Sequence, residues 1–290
     1  MASDVTPPGV VAVDEAIPLD GGFAPLPVLW WFPRDQSPVG VAWLQHGYAR
    51  KPHYLRSLAA LLAERGLVVV MPTVESFRRT GSINDKKYLD AIGVALGTLT
   101  RDDSALRRAA HRAGIDITDE TASRLVLVAH SAGCAVVARA ARAAHADDVA
   151  LRGVVLLDAT ENLAKTFATS LPDLADVEVR GVFAQPSWCN RKGQGAKALM
   201  AERTGYVGIR LTSGTHCDAE GGDTDRVCST MCGKPDPVNV DLLYEVTTAW
   251  THDLAVGRPT PAWSPGGERL TDESRVGRVE ALYGAEVIGA

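Results

Sequence analysis

RLVLVAHSAGCAVVARAARAAHA, residues 124–146, changes character at its middle. Four aliphatic residues at 125–128 read as a buried strand, and an alanine-rich run with arginines at helical spacing follows. Between them stand Ala129, His130, Ser131, Ala132 and Gly133. Small residues on both sides of a serine suit a tight turn in which strand and helix backbones pass close together. A serine there also has a plain alternative use, because its hydroxyl caps helix N-termini well.

The segments on either side repeat the alternation. Strands are expected at 26–33, 39–45, 67–72, 125–128, in LRGVVLLD, in VEVRGVFAQ and in VGIRLTS. Helices are expected in YLRSLAALLAERG, over 90–99, after Ser131, around 196–203 and in VDLLYEVTTAWTHDLA. Uninterrupted Val/Ile/Leu strands alternating with amphipathic helices predict a doubly wound, mainly parallel α/β sheet with helices on both faces. Residues 1–258 are expected to form a single domain whose first 20 residues supply an edge strand. The Pro/Gly-rich tail, 259–290, is expected as a C-terminal appendage.

Composition narrows the function classes. The chain has 290 residues, 46% of them hydrophobic, and a net charge of -5. Without a Lys/Arg cluster, nucleic acid is not an expected partner. No apolar run approaches the roughly 18 residues of a membrane span, and residues 1–16 lack the basic start and apolar centre of a secretory signal. A cytoplasmic location is therefore the default expectation. The late cysteines leave secretion open: Cys189, Cys217, Cys228 and Cys232 suit disulfides or free thiols equally, while Cys134 reads as a buried structural thiol. A zinc site from Cys217, Cys228, Cys232 and His216 lacks the usual C-x-x-C pair.

A parallel strand, then x-Ser-x-Gly, then a helix is the nucleophile-elbow arrangement, which lifts a serine Oγ above the sheet edge. On these residues the chain resembles the α/β-hydrolase family over about 26–254, with Ala129 where the first glycine of the motif usually stands. The esterase and lipase type, with chlorophyllase-like or cutinase-like polyester hydrolase features, is the nearest arrangement. The resemblance implies the α/β-hydrolase fold, here without a large lid domain because 159–177 is short. His46, Gly47 and Tyr48 are similar to the His-Gly element that lies beside the bound acyl group, so the backbone N–H groups of Tyr48 and Ala132 are the implied oxyanion donors. His216 follows the strand that would precede the family's histidine and is the implied general base. Asp158, at the tip of LRGVVLLD, is the implied acid, although it would also serve as a helix N-cap. Glu161 and Asp218 are the reserves.

The implied activity is that of a serine hydrolase acting on a carboxylic ester or thioester through Ser131, His216 and Asp158 and an acyl-enzyme, with no cofactor or metal. The partner is then a small-molecule acyl substrate, met by His46, Gly47, Phe77, His130 and Trp188. Ala49 and the 162–171 segment are further candidate walls. Arg78 and Arg79 suit either a substrate carboxylate or solvent. The loop CDAEGGDTD offers Asp218, Glu220, Asp223 and Asp225 to a calcium ion, without the spacing of a known calcium loop. Two other readings stand beside ester hydrolysis: an acyltransferase or cyclase on the same triad, and a catalytically silent binding protein of the same fold. An aspartate-dependent dehalogenase or epoxide hydrolase is excluded by the serine at 131. Oligomeric state is not legible in the sequence.

Overall fold

The computed structural model describes residues 6–147 and 149–285. Within these residues nine strands form one sheet: β1 (Val10–Asp14), β2 (Val28–Pro33), β3 (Gly40–Gln45), β4 (Leu67–Pro72), β5 (Leu125–His130), β6 (Leu151–Leu157), β7 (Val179–Phe183), β8 (Tyr206–Leu211) and β9 (Val279–Tyr283). Their order is β1-β2-β4-β3-β5-β6-β7-β8-β9. The strands β4-β3-β5-β6-β7-β8 run parallel, and antiparallel pairs flank them at both edges.

Among the described residues, ten helices connect and cover the sheet: α1 (Arg56–Glu64), α2 (Lys86–Thr98), α3 (Ala105–Ala113), α4 (Asp119–Ser123), α5 (Gly133–Ala146), α6 (Thr166–Ser170), α7 (Gln194–Glu202), α8 (Arg226–Cys232), α9 (Pro237–Val256) and α10 (Glu268–Arg275). The period-2 geometry of a strand separates two cores. In β5, Leu125, Leu127 and Ala129 pack on one face with Leu89, Ile92 and Leu96 of α2 and with α5. Val126 and Val128 face the other way, toward α1 and the α9 residues Leu242, Val246 and Trp250. Burial on both sides explains why these strands lack polar alternation. Arg139 of α5 forks onto Asp90 of α2 at 2.6 and 2.7 Å, tying those two helices together.

The structure revises the reading of 259–290 as an appendage, as far as residue 285. β9 pairs with β8 and completes the sheet. Trp263 is buried against this edge, its Nε1–H donating to Glu245 while Arg269 grips the same carboxylate. A large buried indole outweighs the loop-like composition around it. Between β6 and β7 the chain holds only α6 and one short 3-10 turn, so nothing of lid size is inserted there. Among the described residues, no helix is long and apolar enough to cross a membrane.

Candidate active site

Ser131 sits between the end of β5 and the start of α5 at φ +57°. A left-handed conformation costs a non-glycine residue about 1–2 kcal/mol, and backbone bonds hold it there. The Ser131 N–H donates to Leu157 O at 3.0 Å, and its carbonyl accepts from Thr160 N at 3.1 Å and Cys134 N at 3.0 Å. Two glycines let neighbouring backbone close in. A Cβ on Gly133 would lie 2.4 Å from His46 O, and one on Gly47 would lie 2.9 Å from the Ser131 Cβ.

The loop after β8 brings His216 over the serine. Its Nε2 is 2.8 Å from Ser131 Oγ, and its Nδ1 is 2.5 Å from Asp158 Oδ2. A carboxylate only accepts, so Nδ1 carries the proton and Nε2 is left to accept from the serine hydroxyl. Asp158 follows β6 at φ +43° and is buried. Its Oδ1 accepts from Ala184 N at 3.1 Å and from Asn190 Nδ2 at 3.2 Å. The reserves do not reach His216. Glu161 accepts the N–H groups of Phe167 and Ala168 at the start of α6, and Asp218 accepts from Thr215 and from Asp236 N.

Asn190 was not singled out in the sequence. It stands in PSWCN, the loop after β7, which holds no carboxylate. Its amide braces that loop: Oδ1 accepts from Ser187 N at 2.7 Å and Gly193 N at 2.9 Å, while Nδ2 also donates to Gln185 O at 2.8 Å. The sequence offers only a lone Asn in a short loop that opens with Pro186 and Ser187, which does not reveal a tertiary contact.

His46 needs correction as a residue that meets the substrate, since it is absent from the cleft lining. His46 is buried beneath the loop, and burial pushes its pKa down to about 4. Its neutral ring donates from Nδ1 to Gly47 O at 2.9 Å and accepts at Nε2 from Val74 N at 3.2 Å, pinning the Gly47-Tyr48 turn. His130 reaches the cleft wall but is only 2% exposed, and burial pushes its pKa down to about 3. Its Nε2–H donates to the His216 carbonyl at 2.9 Å, which makes it a brace for the histidine loop. The N–H groups of Tyr48 and Ala132 meet no protein acceptor among the described residues, whereas the next one, Ala49 N–H, donates to Ser76 Oγ at 2.8 Å. Two free amides beside Ser131 fit the demand for preset oxyanion donors.

The acidic loop binds an arginine rather than offering itself to calcium. Arg50, two residues past Tyr48, forks onto Glu220 and reaches Asp225 at 2.7 Å, with its guanidinium 3.4 Å from the centre of the Tyr54 ring. Tyr54 O–H also donates to Asp225, and Ser57 N–H donates to Asp223. Hydrogen bonds led by the Cys228 N–H pull the Asp225 carboxyl down to about 2. Arg50 and Glu220 thus clamp the Tyr48 loop to the His216 loop. Arg50→Met should destabilise the protein by about 3–5 kcal/mol, because Glu220, 1% exposed, would keep a buried charge without a partner. Denaturant unfolding of Arg50→Met beside Arg50→Met/Glu220→Leu checks this: the double variant should recover most of the loss.

The zinc reading is corrected as well. Cys189 pairs with Cys232 and Cys217 with Cys228, at Cα separations of 5.5 and 6.6 Å. Both His216 nitrogens are engaged elsewhere. Cys134 is a buried free thiol.

These parts open onto a cleft of about 1500 Å³ that Tyr48, Ala49, Ser131, Leu163, Trp188 and Met231 help to line. Trp188 is 77% exposed on its rim. Phe77 is equally exposed but stands behind Tyr48, edge to face at 5.3 Å, and Arg78 and Arg79 lie outside the lining. The Phe77 and arginine expectations are therefore displaced from the cleft wall to its surroundings.

Among solved structures, the chain is similar to an esterase variant, with a TM-score of 0.57 and 14% identity over 86% of this chain and 82% of that one. It is likewise similar to an arylesterase, with a TM-score of 0.52 and 13% identity over 84% of this chain and 85% of that one. No family model and no curated protein matches the sequence. At such identities the likeness is one of architecture, and the architecture is the α/β-hydrolase fold.

Proposed function

We propose that the protein is a serine hydrolase that cleaves a carboxylic ester, with thioesters in the same class. The observation that carries this reading is a single imidazole, His216, hydrogen-bonded to Ser131 Oγ on one side and to Asp158 on the other. As Ser131 Oγ attacks the acyl carbonyl, its proton passes to His216 Nε2, and Asp158 stabilises the imidazolium that forms. The N–H groups of Tyr48 and Ala132 receive the developing oxyanion. His216 then protonates the leaving alkoxide, and the ester of Ser131 remains. Water, deprotonated by the same nitrogen, completes the turnover. Hydrolysis is favoured over transfer to another nucleophile because the rim is open: Trp188 and Leu163 are more than two-thirds exposed beside the cleft.

Intact-mass spectrometry after exposure to a fluorophosphonate tests the reading. One adduct on the wild type and none on Ser131→Ala is the expected outcome. A folded wild type that stays unlabelled would remove the activated serine and favour a silent binding protein.

A further inference from the structure

The cleft carries an unbalanced charge on one wall. Of its lining acids, Glu220 and Asp225 are taken up by Arg50, and Glu161 by the first N–H groups of α6. Three lining cations have no such partner: the side chains of Arg191, Lys192 and Lys197 make no hydrogen bond or ion pair with any described residue. All three stand on the segment that also carries Trp188. The chain as a whole has a net charge of -5, so this concentration of positive charge runs against the general balance.

The backbone keeps two of the cations on that wall at a conformational cost. Arg191, Lys192 and Gly193 are consecutive left-handed residues, at φ +50°, +57° and +70°. Side chains other than glycine stay in this region only where their surroundings enforce it. Here Lys192 N–H donates to Ser187 O at 2.6 Å, Arg191 N–H to Trp188 O at 3.1 Å, and Gly193 N–H to Asn190 Oδ1 at 2.9 Å. Asn190 in turn bonds Asp158, so the cationic turn is built on the same support as the acid beside His216. Lys197 lies one turn into α7, three residues after Gln194, and both of these face the cleft. The apolar part of the lining includes Trp188, Leu163 and Val227.

We propose that the preferred substrate is an ester carrying a free carboxylate at the end away from the scissile bond, a half-ester of a dicarboxylic acid, with Arg191, Lys192 and Lys197 holding that carboxylate. The proposal rests on the ester-hydrolase reading above. Trp188 and Leu163 take the apolar body between the two ends. The unpaired cations also draw an anionic substrate toward the cleft.

A matched pair of probes tests it: monoethyl suberate and diethyl suberate, with wild type, Arg191→Ala/Lys192→Ala and the charge-keeping Arg191→Lys/Lys192→Arg. The ratio of kcat/KM for half-ester over diester should fall about five- to tenfold in the alanine variant, mainly through KM, and return in the charge-keeping variant. Adding about 0.5 M NaCl should lower the ratio for the wild type and much less for the alanine variant. An unchanged ratio in the alanine variant, or equal losses in both charge variants, overturns the proposal while leaving ester hydrolysis standing. Should the wild type hydrolyse neither probe, the ester-hydrolase reading falls separately. Calorimetric binding of monoethyl suberate to Ser131→Ala then decides: weaker binding after Arg191→Ala/Lys192→Ala supports the cationic wall, and equal or absent binding overturns it.

Discussion

Ser131→Ala is expected to lower kcat on a simple ester by at least about 10⁴-fold, and adding His216→Ala is expected to lower it hardly further. The two residues act as one unit. Without the hydroxyl there is no nucleophile for Nε2 to deprotonate, and without the imidazole the hydroxyl keeps its proton. Losses that multiplied across the double variant would show two independent contributions and contradict the proposed proton path from Oγ to Nε2. Steady-state rates of both single variants and the double variant are the measurement. Folding is checked alongside by the unfolding midpoint, because Ser131 also holds the chain through its N–H and its carbonyl. Those backbone bonds survive alanine. The left-handed φ remains a strain that alanine bears no better than serine, so the midpoint should move little.

The second large effect is expected from Asp158→Asn, a loss of about 10³–10⁴ in kcat with nearly the same shape retained. An asparagine oxygen still accepts from Ala184 N–H and from Asn190, which fixes that oxygen on the far side from the histidine. Its NH₂ group must then face His216 Nδ1. A donor at that place requires an unprotonated Nδ1, so the proton moves to Nε2 and the nitrogen beside Ser131 can no longer accept. A loss below about tenfold would mean that the tautomer is set by something other than Asp158. The same variant should bind a fluorophosphonate far more slowly, since the serine has lost its base.

The sequence is most legible where structure is local. The run of aliphatic residues at 125–128, the small residues about Ser131 and the helical spacing after it specify a strand, a turn and a helix from contacts a few residues apart. The placement of aliphatic strands between amphipathic helices predicts the parallel sheet for the same reason, because each element declares its buried faces by periodicity. The tail shows where this fails. Pro and Gly at 259–267 describe a loop correctly, but β9 is short and at an edge, with Glu280 turned outward, and its pairing depends on β8, some 70 residues earlier. Helix α3, dense in arginine, gives only a narrow apolar stripe and was not expected.

The candidate site divides along the same line. Ser131 could be named from its neighbours, and His216 and Asp158 as what the family resemblance implies for the residues after their strands. That His216 touches both is decided by strand order, since the residues it meets are 85 and 58 positions away. Charge is still less legible than geometry. Four acids in the loop after His216 read alike as calcium ligands, yet Arg50, some 170 positions earlier, takes two of them. Arg191, Lys192 and Lys197 look in the sequence like ordinary surface cations. Only the folded chain distinguishes them, because whether a charge is paired depends on which residues the fold brings within a few ångströms. The sequence by itself determined the parallel core of the sheet, the turn at Ser131 and the candidates for the reacting groups; tertiary structure decided which polar groups are satisfied and which remain without a partner, because backbone preference is local while Coulombic and hydrogen-bond partners are chosen in space.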